Sequence, residues 1–415
     1  MKLKPFRAVR PVPDCASKVA ALPYDVMNSD EARVMVQGNP LSFLHVDKAE
    51  IDLDPGIDPY DSAVYDKAAE NLAKLKSDGA MTQDDTPCFY LYRLTMGKHV
   101  QTGFVGCPSV DDYISEKIKK HELTRAAKEA DRIRHVDRLD ANTGPIFLAS
   151  RPAPSIAKLK NDWISSHDPI YDFIADEDVR HQAWVIDDEK TISEIEAAFD
   201  SLPALYIADG HHRCASAVRV AEMRRKAAPG FTGTEEFNYF LAVVFPSDEL
   251  AIMDYNRVVT DLGGLSGEEF LAKVAEVFEV SELAAGSPPA KPTALHQFGM
   301  FLNDKWYLLK AKPGTWDDKD TVGKLDVAIL QDKLLAPILG IEDPRSDKRI
   351  DFVGGIRGLE ELERRVHEDM TVAFALYPTS MDQLMDIADA GLIMPPKSTW
   401  FEPKLLSGLF IHELS

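Results

Sequence analysis

The chain has 415 residues, enough for two or three domains at roughly 150 residues each. Hydrophobic residues make up 45% and charged residues 28%, which excludes a disordered or fibrous chain. Lys and Arg number 47 against 68 Asp and Glu, a net charge of −21. That sign argues against nucleic acid or an anionic membrane as partner, so an anionic ligand must be met by a local basic pocket.

Strands and helices alternate throughout, which predicts an α/β protein with α+β parts. Residues 1–108 read as an α+β region. Strand-like runs at Phe43–Val46, Phe89–Leu94 and Val100–Val105 flank a helix at Ser62–Lys76, and Gly97 makes a hairpin turn between the last two strands. Residues 109–260 read as the core. Its charge-dense helical stretch, Val110 to Asp140, is expected to open a helix near Lys119–Glu122, with Leu123, Ala126, Ala127, Ala130 and Ile133 on one face. The turn Asn142-Thr143-Gly144-Pro145 then leads into a strand at Ile146–Ala149. Pro288, Pro289, Pro292 and Gly286 mark a loop near 284–294. Residues 261–415 read as a C-terminal α+β domain whose last loop returns to the cleft. It holds a strand at Trp306–Lys310, helices near 323–338 and 358–366, a strand at Val372–Leu376 and a helix from about Ser380 to Ala390.

No apolar run approaches the ~20 residues of a membrane span. Residues Met1 to Pro11 lack the apolar stretch of a secretory signal. Cys15, Cys88, Cys107 and Cys214 form no C-x-x-C pair, so a reduced cytoplasm is the expected location.

The sharpest local pattern is the apolar run Leu205–Ala208 ending in Asp209-Gly210-His211-His212-Arg213. Cys214, Ala217, Val218 and Ala221 follow at helical spacing. A strand therefore feeds a tight turn that opens a helix. Gly210 permits the turn and close ligand approach. Helix-start amides favour phosphate, and Arg213 can grip it with two hydrogen bonds. Asp209 can hold Mg²⁺ or orient a histidine. The alternative is that Asp209 caps the helix and the histidines are surface residues.

A second pattern is Lys119-Lys120-His121-Glu122. Glu122 is a candidate general base near a substrate hydroxyl, or a helix-start carboxylate. A third is the stiff Pro395-Pro396-Lys397-Ser398-Thr399-Trp400-Phe401-Glu402-Pro403-Lys404 segment, which offers a lysine and hydroxyls to a phosphate, or is a structural tail. Asp25, in Pro23-Tyr24-Asp25, lines a site or a turn, and Arg257 is a second phosphate ligand or an ordinary ion pair. P-loop, dinucleotide, nucleophile-elbow, zincin and kinase signatures are missing. His211 and His212 diverge by about 100° on a helix and cannot chelate one metal as a pair.

With these motifs in order, the chain resembles the ParB/sulfiredoxin-like superfamily and, within it, the free-serine kinases, whose ADP-dependent archaeal members phosphorylate L-serine. It also resembles, over nearly its whole length, a widespread prokaryotic family of unassigned function. The marks of that family are Phe6 to Pro11, Pro23-Tyr24-Asp25-Val26, His121-Glu122-Leu123-Thr124, Asn142 to Ile146, Asn256-Arg257 and the P-K-S-T-x-F ending. The resemblance implies a ParB-like core and a small-molecule phosphotransferase on serine or O-phosphoserine, run in either direction with ATP or ADP and Mg²⁺. Nucleic acid and membrane are not expected partners. Glu122 would be the base beside His121. Asp209, Gly210, His211, His212 and Arg213 would hold the phosphate and its metal, and Lys397, Ser398 and Thr399 would meet nucleotide or phosphoserine. A ParB-type nucleotide switch without group transfer and a phosphoserine phosphatase are the alternatives. Sulfiredoxin chemistry is not expected, because His211 stands where that family has its cysteine.

Overall fold

Phe89, Tyr90, Leu91, Tyr92 and Leu94 are all buried, so this aromatic, β-prone run is covered on both faces and belongs at the centre of a sheet. In the computed structural model, which describes residues 1–175, 178–228 and 230–415, it does. Among the described residues, strands β1 (Leu3–Lys4), β2 (Phe89–Met96), β3 (His99–Pro108), β4 (Ile118–Lys119), β5 (Ile146–Ser150), β6 (Tyr171–Ile174), β7 (Arg180–Ile186), β8 (Leu205–Asp209) and β9 (Ala242–Pro246) form a mixed nine-stranded sheet. Its order is β4-β8-β5-β9-β3-β2-β7-β6, with β1 added on β3. The β4/β8 and β5/β9 pairs are parallel, and the other pairs are antiparallel. The β2–β3 hairpin turns at Gly97, whose φ of +58° is the left-handed value that a two-residue loop needs.

The chain divides into two units, Met1–Leu250 with Pro403–Ser415, and Ala251–Glu402. This differs from the expected division at 108 and 260. Strands β2 and β3 lie at the middle of the sheet that also carries β8, so residues 1–108 share a unit with the expected core. Helix α1 (Ser62–Ser77) packs Val64, Ala68 and Leu72 into a cluster with Val9, Phe43, Leu44, Val46, Leu139 of helix α2 (Ala126–Leu139), and Ile411. The other main cluster packs Phe104, Leu148, Ile207 and Trp184 against Cys214, Ala217, Val218 and Ala221 of helix α3 (His211–Ala227).

Two local expectations are corrected. The run Phe43–Val46 is not a strand, since Leu44–Asp47 forms a short helix. Four residues are too few to fix a period, and the turn buries Phe43 against the backbone of Gly408, where a Cβ would lie 2.5 Å from the ring. The helix expected at Lys119 opens only at Ala126. Ile118 and Lys119 are instead drawn into β4 by pairing with Leu205 and Tyr206, and Leu123 is exposed.

The second unit is built on β10 (Tyr255–Val259), β11 (Phe278–Glu282), β12 (Gln297–Leu302), β13 (Lys305–Ala311), β14 (Ile350–Gly354) and β15 (Val372–Leu376). These strands make an antiparallel sheet in the order β11-β13-β12-β15-β10-β14. Because β10 pairs with both β14 and β15, Asn256-Arg257 belongs to this sheet and not to the first. Residues 403–415 rejoin the first unit. Ser407 bridges Ala21, Ile411 bridges Val9, and His412–Glu413 pairs with Asn142 and Ala141. No helix among the described residues is long and apolar enough to cross a membrane, and all four cysteines are free.

Ile411 is 0% exposed and joins the tail to the N-terminal cluster. Truncation of such a side chain costs about 2–5 kcal/mol. Ile411→Ala is therefore expected to lower the unfolding free energy of the first unit by that amount, read as a lower urea midpoint at an unchanged slope, and an unchanged midpoint would show that the tail does not support it.

Candidate functional site

Strand β8 runs into α3 with a single residue between them. Leu205 to Ala208 are buried, and the pairing with β5 shifts register between Ile207 and Asp209, which brings Asp209 out at the strand's carboxyl end. Gly210 follows with φ +90°, and α3 begins at His211. A side chain at Gly210 would be strained by that φ and would also stand 3.1 Å from Nε of Arg213, which folds back over the turn. No side chain caps α3, and its first turn holds no acidic residue. Asp209 is not a cap, because its Oδ1 accepts the Gly210 N–H at 2.9 Å. The partial positive charge of a 17-residue helix therefore faces a cationic cluster with no carboxylate cap to offset it.

Arg213 is held on two sides. Its Nη1 donates to the Pro145 carbonyl at 2.6 Å, and its Nη2 lies 3.8 Å from Asp209 Oδ2. Its Nε is buried and finds no hydrogen-bond partner among the described residues. The Asn142–Pro145 turn that presents the Pro145 carbonyl is held by three further hydrogen bonds. Thr143 Oγ1 donates to Asp47 Oδ1 at 2.8 Å, Asn142 Oδ1 accepts the Leu241 N–H at 3.3 Å, and the Thr143 carbonyl accepts the Gly408 N–H at 3.3 Å. Lys404, from the returning tail, places Nζ 3.8 Å from Asp209 Oδ2. Burial by itself would raise the Asp209 carboxyl. The charges of Lys404 and Arg213 and the Gly210 N–H outweigh it and hold the group at about 2.

His121 and Glu122 sit in the bend after β4, beside the start of α3. The His121 ring is 2% exposed and stands edge-on to His211, with centroids 4.5 Å apart. His121 is hydrogen-bonded to the Ile207 carbonyl, and its Nδ1 has no partner among the described residues. His211 directs Nδ1 toward Glu122 Oε2 at 3.9 Å, while its Nε2 is buried and unpartnered. Burial lowers both imidazoles, His121 to about 4 and His211 well below the usual value, the latter helped by His121. Both rings are therefore neutral at pH 7 and offer lone pairs. Donor atoms of His121, Glu122 and His211 all lie within 4.8 Å of one another, and Asp209 is outside that group.

His212 points elsewhere. Its Nε2 accepts the Arg125 N–H at 3.0 Å at the start of α2. It feels the charges of Lys128 and Asp25, which line a polar cavity of about 240 Å³ with Tyr24, Asp47, Arg132 and His135. Arg132 stacks on Tyr24 at 4.0 Å. The Pro23–Asp25 turn thus lines a cavity next to this histidine.

The remaining candidates belong to the second unit. Arg257 is buried, its guanidinium donating to the Tyr255 carbonyl and, at 3.0 Å, to the Lys397 carbonyl. It shapes the loop that carries Lys397. Ser398 Oγ donates to the Pro395 carbonyl at 2.6 Å, and the Ser398 carbonyl accepts from Thr379 Oγ1. Lys397 is exposed, with a left-handed φ of +59° and Nζ 5.4 Å from the Tyr255 ring centre, and Thr399 is half-buried.

The neutral burial of His121 has a pH signature. A histidine with its folded value depressed to about 4 contributes stability that is complete above about 6.5 and is lost as pH falls toward 4, because the unfolded chain takes the proton first. For His121 the loss is on the order of 3 kcal/mol. Urea unfolding at pH 7 and pH 4.5 is expected to show a smaller pH dependence in His121→Gln than in the native chain. Equal dependence would mean that His121 is charged or exposed.

A search of the curated proteins finds no match. Among solved structures the chain is similar to a free serine kinase in complex with AMP, at 14% identity and a TM-score of 0.35 over 71% of this chain and 86% of that one. It is also similar to a conserved hypothetical protein from Pyrococcus furiosus (14%, 0.34, 72% and 93%). A third likeness is to SbnI with C-terminal truncation from Staphylococcus aureus (12%, 0.38, 73% and 85%). The model of one protein family, described as protein of unknown function (DUF1015), matches residues 3–328, and the chain belongs to that family.

Proposed function

We propose that the corner between β8 and α3 is a phosphoryl-transfer site acting on L-serine or O-phosphoserine with a nucleotide, ATP or ADP. The observation that carries this reading is the meeting of Arg213, Lys404 and the uncapped start of α3 around Asp209, within a chain of net charge −21. Three sources of positive potential at one point are an arrangement for an anion with several oxygens. Phosphoryl transfer requires mainly positioning and charge neutralisation, which such a cluster supplies. The order of the H-E, D-G-H-H-R and P-K-S-T segments, shared with the free-serine kinases, supports serine as the acceptor.

In this reading Arg213, Lys404 and the amides of His211 and His212 hold the phosphate being transferred. Glu122 takes the proton from the serine hydroxyl as its oxygen bonds to phosphorus and the bond to the leaving nucleotide oxygen breaks. In reverse, O-phosphoserine gives up its phosphoryl group to the nucleotide, and Glu122 returns the proton to the serine oxygen. Asp209 positions the two cations. It fits Mg²⁺ poorly, because Lys404 and Arg213 already neutralise it. Lys397, the exposed cation of the P-K-S-T loop, and Thr399 enter through motif order.

The test is a coupled assay on the purified chain. One arm holds L-serine with ATP, ADP or pyrophosphate, and the other holds O-phosphoserine with and without ADP. Transfer in the serine arm, or serine release that requires ADP, is the expected result. Loss of the base in Glu122→Gln should lower kcat by about 10²–10⁴-fold, and Lys404→Met should act mainly on KM for the phosphate-bearing ligand. Release of serine without ADP would make the protein a phosphatase. Silence in both arms would remove the transfer reading.

A further inference from the structure

Two buried imidazole nitrogens with no hydrogen-bond partner among the described residues, on rings whose centres are 4.5 Å apart, need an explanation. A buried polar atom left unsatisfied costs about 1–3 kcal/mol, and the rings that carry His121 Nδ1 and His211 Nε2 adjoin at one corner. Hydrogen bonding within the pair does not relieve them, since the rings meet edge-to-face at 89° and both atoms remain unpartnered. The third member, Glu122, is half-buried and brings a carboxylate oxygen to 3.9 Å from His211 Nδ1.

We infer that His121, Glu122 and His211 bind a divalent transition-metal ion of the zinc class, leaving its remaining coordination positions open. Three observations support it. The donor set, two imidazoles and one carboxylate, suits Zn²⁺, Co²⁺ or Fe²⁺ and not the oxygen-only preference of Mg²⁺. His121 is already oriented by its hydrogen bond to the Ile207 carbonyl, the outer support that metal-bound histidines usually have. The donor atoms lie within 4.8 Å of one another, against about 3.4 Å for two donors on a tetrahedral ion with bonds of about 2.0–2.1 Å, so modest side-chain movement brings them onto one ion. Three protein ligands make an open site, as catalytic zinc has, and not the closed four-ligand site of structural zinc.

The open positions face the same corner as the start of α3, so an oxygen of a phosphate or hydroxyl can complete the coordination. A carboxylate that gives one oxygen to a metal keeps the other for a proton, so this role is compatible with Glu122 as base. The metal site rests on the side-chain geometry alone and stands or falls apart from the phosphoryl-transfer reading.

The experiment titrates Co²⁺ into the chelator-treated full chain with no nucleotide or serine present, following the visible ligand-field bands, and then displaces it with Zn²⁺. One equivalent of Co²⁺ with tetrahedral-type absorption, displaced by Zn²⁺, is expected. His121→Ala and Glu122→Gln should weaken binding by at least the about 10- to 100-fold that a lost outer-shell partner costs, while Asp209→Asn should bind as the native chain does. Glu122 is half-exposed, so its variant reads out the site even if His121→Ala fails to fold. Absence of bound Co²⁺ in the native chain, or equal binding by Glu122→Gln, would overturn the inference. Neither result depends on turnover, so a silent coupled assay with intact metal binding would count against the transfer reading alone.

Discussion

The left-handed backbone at Gly210 is the constraint on which this corner depends. A strand and a helix joined by one residue have almost no freedom in how they meet. The φ of +90° turns the chain sharply enough for α3 to start at once. As a result His211 enters the interior beside His121, His212 faces the start of α2, and Arg213 lies back over the glycine. A longer connection would let each of these side chains find its own partner. A side chain at the glycine would displace the guanidinium even if the backbone tolerated it.

Around that turn, partly buried charge is managed by pairing. Arg213, Asp209 and Lys404 form a cation–anion–cation row in which each ion offsets the desolvation of its neighbour. The Pro145 carbonyl takes a further proton of Arg213, and the Asn142–Pro145 turn that presents it is itself tied to Asp47, Leu241 and Gly408. The row keeps one surplus positive charge. In a strongly acidic chain that surplus is local, and it lies where an uncapped helix adds its own partial charge.

Much of this was legible in the residues. Apolar periodicity identified β8 and α3, because the stripe of Cys214, Ala217, Val218 and Ala221 is buried as its spacing implies. Gly97 announced the hairpin. The adjacency of Asp209, Gly210 and Arg213 announced a sharp strand-to-helix corner. What could not be read was set by partners distant in sequence. Ile118 and Lys119 look helical in isolation and become a strand because β8 offers an edge. Arg257 reads as a phosphate ligand or an ion-pair partner, and its guanidinium instead donates to three carbonyls of its own unit. Lys404 ended a segment whose lysine of interest was Lys397, and only the return of the tail brings it to Asp209. The pairing of His121 with His211 was hidden for the same reason. Spacing along a chain rules out His211 with His212, but it says nothing about two histidines joined by a strand pair.

The path of the backbone has a consequence for the order in which the molecule can be completed. Residues 251–402 are inserted into the first unit, and Pro403–Ser415 closes it. During synthesis the turn at Gly210 emerges long before Lys404, so Asp209 and Arg213 must wait for the second cation until an entire intervening unit has been made. Ile411 and the pairing of His412–Glu413 with Asn142 and Ala141 arrive still later. Contacts of such high sequence separation form slowly. Until the tail has been made, the N-terminal cluster lacks Ile411, and the apolar side chains it covers are left for a chaperone to hold.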